Sequence, residues 1–195
     1  MRNAIRMMYI VGAVTSLGCA TGSGARHDHV VPSAEPSAEP STEHMRSSSS
    51  GAQSGTQSTI DRDTARIRAA TAAFRSVDAA VAAGYPRVSG PCIAYPAQGG
   101  MGYHRDNEAL KDDRIELERP EVLVYGRTPS GQEVLNGVEY MVPFSAHPRT
   151  AEPPTVMGQQ LKPFDQGKFW YLHVWVWLDN PSGLFADWNP KVKCN

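Results

Sequence analysis

Phe169 to Cys194 reads FWYLHVWVWLDNPSGLFADWNPKVKC, and its opening half decides the fold. At a period of two, Tyr171, His173, Trp175 and Trp177 fall on one face and Leu172, Val174, Val176 and Leu178 on the other. That is the pattern of a strand with two different faces. The aliphatic face predicts contact with a core. The other face sets three aromatic rings around one imidazole, and all four tryptophans (Trp170, Trp175, Trp177, Trp188) lie in this segment. An imidazole framed in this way is either a hydrogen-bonded core residue or the floor of a pocket, and the pattern leaves both open.

Working outward, Glu121 to Gly126 and Glu133 to Val142 read as two more strands, with Thr128-Pro129-Ser130-Gly131 as the turn of a hairpin. In the first, Val122 and Val124 oppose Glu121, Leu123 and Tyr125. In the second, Val134, Val138, Tyr140 and Val142 oppose Leu135, Glu139 and Met141. Upstream, Ile67, Ala70, Phe74, Val77 and Val81 recur at spacings of three and four, the apolar stripe of an alanine-rich helix. Ser58, Thr59 or Asp61 is expected to cap its start, and Gly84 to end it. Pro143 to Gln166, rich in proline, is expected to be a long irregular loop, and a turn at Asn180-Pro181-Ser182-Gly183 opens an irregular tail. The fold class that follows is α+β, an N-terminal helix packed on a mostly antiparallel sheet.

The start of the chain has a different character. Arg2 and Arg6 precede the apolar run Met7 to Val14, which is followed by Thr15-Ser16-Leu17-Gly18-Cys19, so residues 1–18 read as a signal peptide. Leu-Gly-Cys at 17 to 19 resembles the lipobox of bacterial lipoproteins, although that pattern has Leu where Ser16 stands here. The resemblance implies acylation at Cys19, palmitate included, a lipid anchor in a membrane, and residence in the bacterial cell envelope outside the cytoplasm (the outer membrane in a Gram-negative cell). Residues 19–58, dominated by Ser, Gly, Pro, Thr, Glu and Gln with the repeat SAEP-SAEP, are expected to form a disordered tether, and residues 59–195 the globular domain. Outside the cytoplasm thiols oxidise, and with Cys19 lipidated two cysteines remain, which predicts a disulfide between Cys92 and Cys194.

Charge narrows the function classes. A net charge of -1 over 195 residues gives no bias toward nucleic acid. The glycine-rich stretch Gln98-Gly99-Gly100-Met101-Gly102 lacks both the GxGxxG order and the Lys-Ser/Thr ending of a phosphate loop, and it leads instead into Tyr103-His104. Neither Gly-x-Ser-x-Gly nor Ser-x-x-Lys occurs. His104, His173, Glu139 and Glu121 are the residue types of a two-histidine, one-carboxylate site, a donor set suited to zinc, iron or manganese. The same residues on strands also serve as ordinary buried hydrogen-bonding partners. Exposed rings at Tyr103, Trp170 and Trp188 would suit a module that binds a small ligand.

Gly-Met-Gly-Tyr-His (100 to 104), Arg-Pro-Glu (119 to 121), Gly-Val-Glu-Tyr (137 to 140), Leu-His-Val-Trp (172 to 175) and Asn-Pro-Lys-Val-x-Cys (189 to 194) together resemble a family of uncharacterised secreted bacterial proteins. That family's pattern continues after the histidine with Tyr-Val-Asn, where this chain has Arg105-Asp106-Asn107. The strand from Gly137 to Met141 is also similar, more faintly, to one in the plant oil body-associated proteins. Neither resemblance implies an activity. Three functional readings stand on the sequence. The leading one is a non-enzymatic envelope lipoprotein that binds a small ligand or divalent metal around His104 and His173. The alternatives are a metal-dependent hydrolase or oxidoreductase using those residues, and a structural or protein-interaction domain.

Overall fold

A computed structural model describes residues 48–88 and 90–194. Helix α1 spans Ser48–Thr71, a 3-10 turn follows at Ala72–Arg75, and a short α2 covers Val77–Ala82. Among the described residues ten strands come next: β1 (Arg87–Val88), β2 (Ala94–Tyr95), β3 (Gly99–Gly100), β4 (Tyr103–Asp106), β5 (Val122–Arg127), β6 (Glu133–Pro143), β7 (Thr155–Val156), β8 (Gln159–Gln160), β9 (Lys162–Phe164) and β10 (Phe169–Val174). Six of them form one sheet in the order β1-β4-β5-β6-β10-β9, and β2-β3 and β7-β8 are separate two-stranded ribbons. Every pairing is antiparallel, so the expected α+β class is observed.

The helical segment covers one face of the sheet. Ile67 and Ala80 are fully buried there, and Phe74 and Val77 pack beside them against Leu123, Tyr125, Val138, Tyr140, Val142, Leu172 and Val174. Each of these sheet residues lies on the same side of the pleat, as the period of two requires. Polar ties join the layers: the Tyr125 hydroxyl donates to the Phe74 carbonyl, the Arg68 guanidinium to the Val176 carbonyl, and the Trp177 indole to the Thr71 hydroxyl.

The helix differs from expectation at both ends of its stripe. Described from Ser48, it runs through residues 48–58, where composition had suggested tether. Ser58 and Thr59 do not cap it, because their hydroxyls donate back to the Gly55 carbonyl within the helix. The break comes later, at Ser76, whose hydroxyl accepts from the Ala79 amide and restarts the helix as α2. Val81, expected on the stripe, is therefore rotated outward and is 43% exposed. The helical segment stops at Gly84, as expected, with the Tyr85 amide reaching back to the Ala80 carbonyl.

Two irregularities alter the strand faces. A register shift between Val124 and Tyr125 pairs Val124 with Gly137 and Tyr125 with Leu135, leaving Asn136 as a bulge. The extra residue reverses the alternation beyond it, so Leu135 enters the helix-side core and Val134 is 42% exposed. The Asn136 carbonyl then accepts from both the Trp177 and Leu178 amides, which ends β10 at Val174. Trp177 consequently turns to the helix and leaves the histidine face. The Pro143 to Gln166 stretch is also less irregular than expected. It folds as β7, β8 and β9 and buries Val156, Met157 and Leu161, with Pro163 on an edge strand where its missing amide costs no ladder bond.

The tail returns across the sheet. Cys92 and Cys194 form the expected disulfide, with a Cα separation of 5.3 Å and a sequence separation of 102. Nearby, Gly100 and Asn189 exchange backbone hydrogen bonds at 3.2 and 3.0 Å. That approach is why glycine stands at 99, since a Cβ there would lie 2.1 Å from the Asn189 carbonyl oxygen.

The lipid-anchored envelope address is corrected. Among the described residues no helix is long and apolar enough to cross a membrane. Cys92 and Cys194 are bonded to each other, so neither offers a thiol to palmitate. The signal peptide and Cys19 lie outside the described residues. A membrane anchor therefore forms no part of the function argued below.

Because the disulfide closes a loop of 102 residues, the chain-entropy model gives it about 4 to 5 kcal/mol. Reduced protein, or the Cys92→Ser/Cys194→Ser pair, should unfold at a clearly lower urea midpoint with native near-UV dichroism retained beforehand. An unchanged midpoint would show that the bond does not constrain the unfolded chain.

Candidate metal centre

The face of the sheet opposite the helix carries a cluster of three donors. Glu139 on β6 and His173 on β10 are direct cross-strand partners, so their side chains leave the sheet side by side. His104 sits on β4, paired with Val124 of β5, and must reach past that strand to meet them. It does: His104 Nε2 lies 2.9 Å from His173 Nε2 and 3.4 Å from a Glu139 carboxylate oxygen, and His173 Nε2 lies 4.0 Å from the same oxygen. The residues between them on β5 are Val122 and Val124, whose short side chains are both buried, Val124 against Trp175 and Val192.

These distances can be set against a coordination sphere. Two donors each about 2.1 Å from an ion lie about 3.0 to 3.4 Å apart at angles of 90° to 109°. The two shorter separations fall close to that range, and all three donor atoms lie within 4.8 Å of one another. A buried His104/Glu139/His173 cluster able to chelate a divalent metal is thus present. Burial is deep: side-chain exposure is 18% for His104, 5% for Glu139 and 1% for His173. Burial, and then the neighbouring His173, push the His104 imidazole down to about 3, so it is neutral with a lone pair to offer. Burial raises the Glu139 carboxyl, with His173 acting against it.

Behind His173 stands a residue that the sequence did not single out. Nδ1 of His173 is buried and makes no hydrogen bond, and it faces a carboxylate oxygen of Asp187 at 3.9 Å. Burial alone would raise the Asp187 carboxyl, but His173 and Lys162 draw it below its ordinary value. A histidine that gives Nε2 to a metal and turns Nδ1–H toward a carboxylate is the usual outer arrangement of such sites, so the orphaned nitrogen fits the donor set. Asp187 is held there from several sides. The Trp175 indole donates to the Ala186 carbonyl just before it, Lys162 pairs with its carboxylate, and the Tyr171 hydroxyl lies 3.4 Å from it. Nothing local in Phe185-Ala186-Asp187-Trp188 marks the aspartate, because only the tail's return across the sheet brings it to β10.

Of the three rings expected around His173, two are there. Trp175 stacks at 6.0 Å with an interplanar angle of 11°, and Tyr171 stands edge-on at 5.9 Å. Trp177 is on the other face, for the reason given above. Tyr103 and Trp170 are buried rather than exposed. Trp188 does face a cavity of about 310 Å³, together with His104, Glu139 and Tyr171.

Glu121 is not part of the cluster. Alternation places it opposite Val122, the residue in register with Glu139, and so on the other side of the pleat. Strand β6 runs on past the start of β5, and the Met141 amide there has no strand partner on that side. The Glu121 carboxylate accepts from it at 2.9 Å. Burial pushes this carboxyl up to about 8.

No family model, curated protein or solved structure matches the chain. The resemblance noted above rests on its quoted motifs alone.

The raised Glu121 carboxyl has a sign. A folded-state value above the unfolded one means the native state binds the proton more tightly, so its contribution is whole below about pH 4.5 and is lost as pH rises through about 8. Glu121→Gln keeps an acceptor for Met141 without the charge. Relative to this variant, wild-type stability should fall by at most about 1.4 kcal/mol per pH unit across that window. Urea midpoints of both proteins at several pH values measure it, and parallel curves would refute it.

Proposed function

We propose that this protein is a metal-dependent enzyme in which His104, His173 and Glu139 hold one divalent ion, zinc, iron or manganese. The observation that carries the reading is convergence of three donors on one point in the wall of a cavity. Structural metal sites are closed by four protein ligands, whereas catalytic ones use three and keep a position for water or substrate. Here Asp187 is turned to the back of His173 and to Lys162, and Asp106 is paired with Lys111. The donor set matches both the His-His-Glu set of zinc hydrolases and the two-His, one-carboxylate set of non-haem iron enzymes. Among the described residues Glu139 is the only carboxylate lining the cavity, so a hydrolytic water would find no base there other than a ligand. That favours the oxidoreductase branch over the hydrolase branch.

In either branch this chain's own residues do three things. The imidazoles offer Nε2 atoms and Glu139 a carboxylate oxygen, a donor set that suits a cation. Asp187 orients His173. The apolar surroundings exclude water, which strengthens any charge interaction at the ion.

Elemental analysis of tag-free protein is expected to find about one zinc, iron or manganese per chain, as a three-ligand site requires. His104→Ala and Glu139→Ala should abolish it with near-UV dichroism unchanged. Asp187→Asn, acting through His173, should weaken affinity by about 10- to 100-fold. Wild-type protein that neither carries nor takes up any of the three metals would overturn the reading.

A further inference from the structure

The cavity beside the three donors has a wall chemistry that selects among ligands. We propose that it takes a small, neutral, flat apolar molecule bearing one oxygen group directed at the metal centre. This rests on the metal reading above and names the substrate class for that site.

Size comes first. About 310 Å³ is at the small end of ligand pockets, and corresponds to roughly ten waters of liquid volume. The walls come next: Ile93, Met101, Met141, Phe164, Phe169 and Trp188 are apolar, and the polar groups His104 and Glu139 are the metal donors themselves. The Tyr171 hydroxyl lies toward Asp187. Among the described residues no lysine or arginine lines the space. A phosphate or a sugar would thus surrender its hydration with no partner beyond the ion, at a cost of about 1 to 3 kcal/mol for each unpaired polar group. An apolar molecule with a single oxygen leaves nothing unpaired.

Ring geometry argues for a flat occupant. Phe164 and Phe169 tilt against each other at 5.3 Å, and Tyr171 stands near-perpendicular to both at 6.4 and 6.2 Å. Such a cluster presents both ring faces and ring edges, the two surfaces another aromatic ring packs against. Met101 and Met141 add polarizable sulfur that adapts to a ring's outline.

The approach is apolar as well. Five large hydrophobic side chains are exposed among the described residues: Val81, Ile93, Tyr95, Val134 and Phe164. Ile93 and Phe164 line the cavity, and Tyr95 packs on Trp188 with ring centroids 5.1 Å apart. Three of the five therefore belong to its rim, although the sheet has other faces on which to expose them. The rim is also held in place. Ile93 follows the disulfide residue Cys92, its carbonyl accepts from the Met101 amide at 3.0 Å, and Gly100 is bonded to Asn189 of the tail. A wall fixed in this way loses little entropy when a ligand binds.

The test uses the full chain loaded with zinc, with 2-naphthol as the probe and glucose and inorganic phosphate as comparisons. Tryptophan fluorescence follows Trp188, and calorimetry gives the dissociation constants. The expected result is saturable 2-naphthol binding at least ten-fold tighter than glucose or phosphate, weakened several-fold when the zinc is removed by a chelator. Met101→Lys, which places a charge in the wall, should lose the naphthol while still taking up zinc. Naphthol binding no tighter than glucose, or equal in Met101→Lys, would overturn the substrate class. If that variant does not fold, the wild-type comparison of the three probes decides alone. Elemental analysis reads the ion separately, so a chain that takes up no zinc counts against the metal reading and not against the wall chemistry.

Discussion

Everything on the site face depends on the register that sets His173 of β10 directly opposite Glu139 of β6. In an antiparallel pair the side-chain period is two, so a slip of one residue would send one donor to the helix side and leave the other alone. The donors themselves do not fix that register. It is fixed on the opposite face, where Val138, Tyr140 and Val142 interleave with Leu172, Val174 and Trp170 under the helix. Burying a side chain of this size contributes about 1.5 to 3 kcal/mol, and the slipped register would forfeit several at once. The hydrophobic core thus specifies the geometry of the polar cluster from the far side of the sheet.

What the core gains, the cluster partly returns. Glu139 is 4% exposed and its ion-pair contacts are two imidazoles, while the Lys111 ammonium is paired to Asp106 and Glu108. Burial holds His104 neutral, so the pair gains little from charge attraction. A buried carboxylate without a cation is costly. The orphaned Nδ1 of His173 adds a second unmet demand. Local conflicts of this kind in an otherwise consistent fold mark functional sites. One divalent ion at the point of convergence would answer both, giving Glu139 a counter-charge and fixing the tautomer in which Nδ1–H faces Asp187.

Much of this was legible in the sequence wherever a local period carried the information. The helix stripe from Ile67 to Val77, the Thr128 to Gly131 turn and the two-faced strands follow from spacing, and the three donors from residue type on those strands. The misreadings share a cause, which is that something non-local interrupted the period. Asn136 inserts one residue into β6, and parity reasoning then puts Leu135 and Val134 on the wrong sides. The same bulge ends β10 and takes Trp177 to the helix. Glu121 looked equivalent to Glu139, but it lies just before β5 and spends its carboxylate on a backbone amide.

Asp187 shows how far irregular segments can matter to a site built on strands. Its position depends on three long-range ties: the disulfide to Cys92, the Gly100–Asn189 pairing, and the Trp175 indole on the Ala186 carbonyl. One of these runs to the glycine-rich stretch just before His104 and another to Cys92 upstream of it, so one tail braces the approach to one histidine and places the carboxylate behind the other. This accounts for glycine at 137 as well: a Cβ there would lie 2.5 Å from the Val174 carbonyl oxygen, at the point where β10 ends and the chain turns into that tail. Among the motifs that stand out in the sequence, the glycine-rich turn, the Gly-Val-Glu-Tyr strand and the Asn-Pro-Lys-Val-x-Cys tail are therefore parts of one construction, and its centre is the space between His104 and His173.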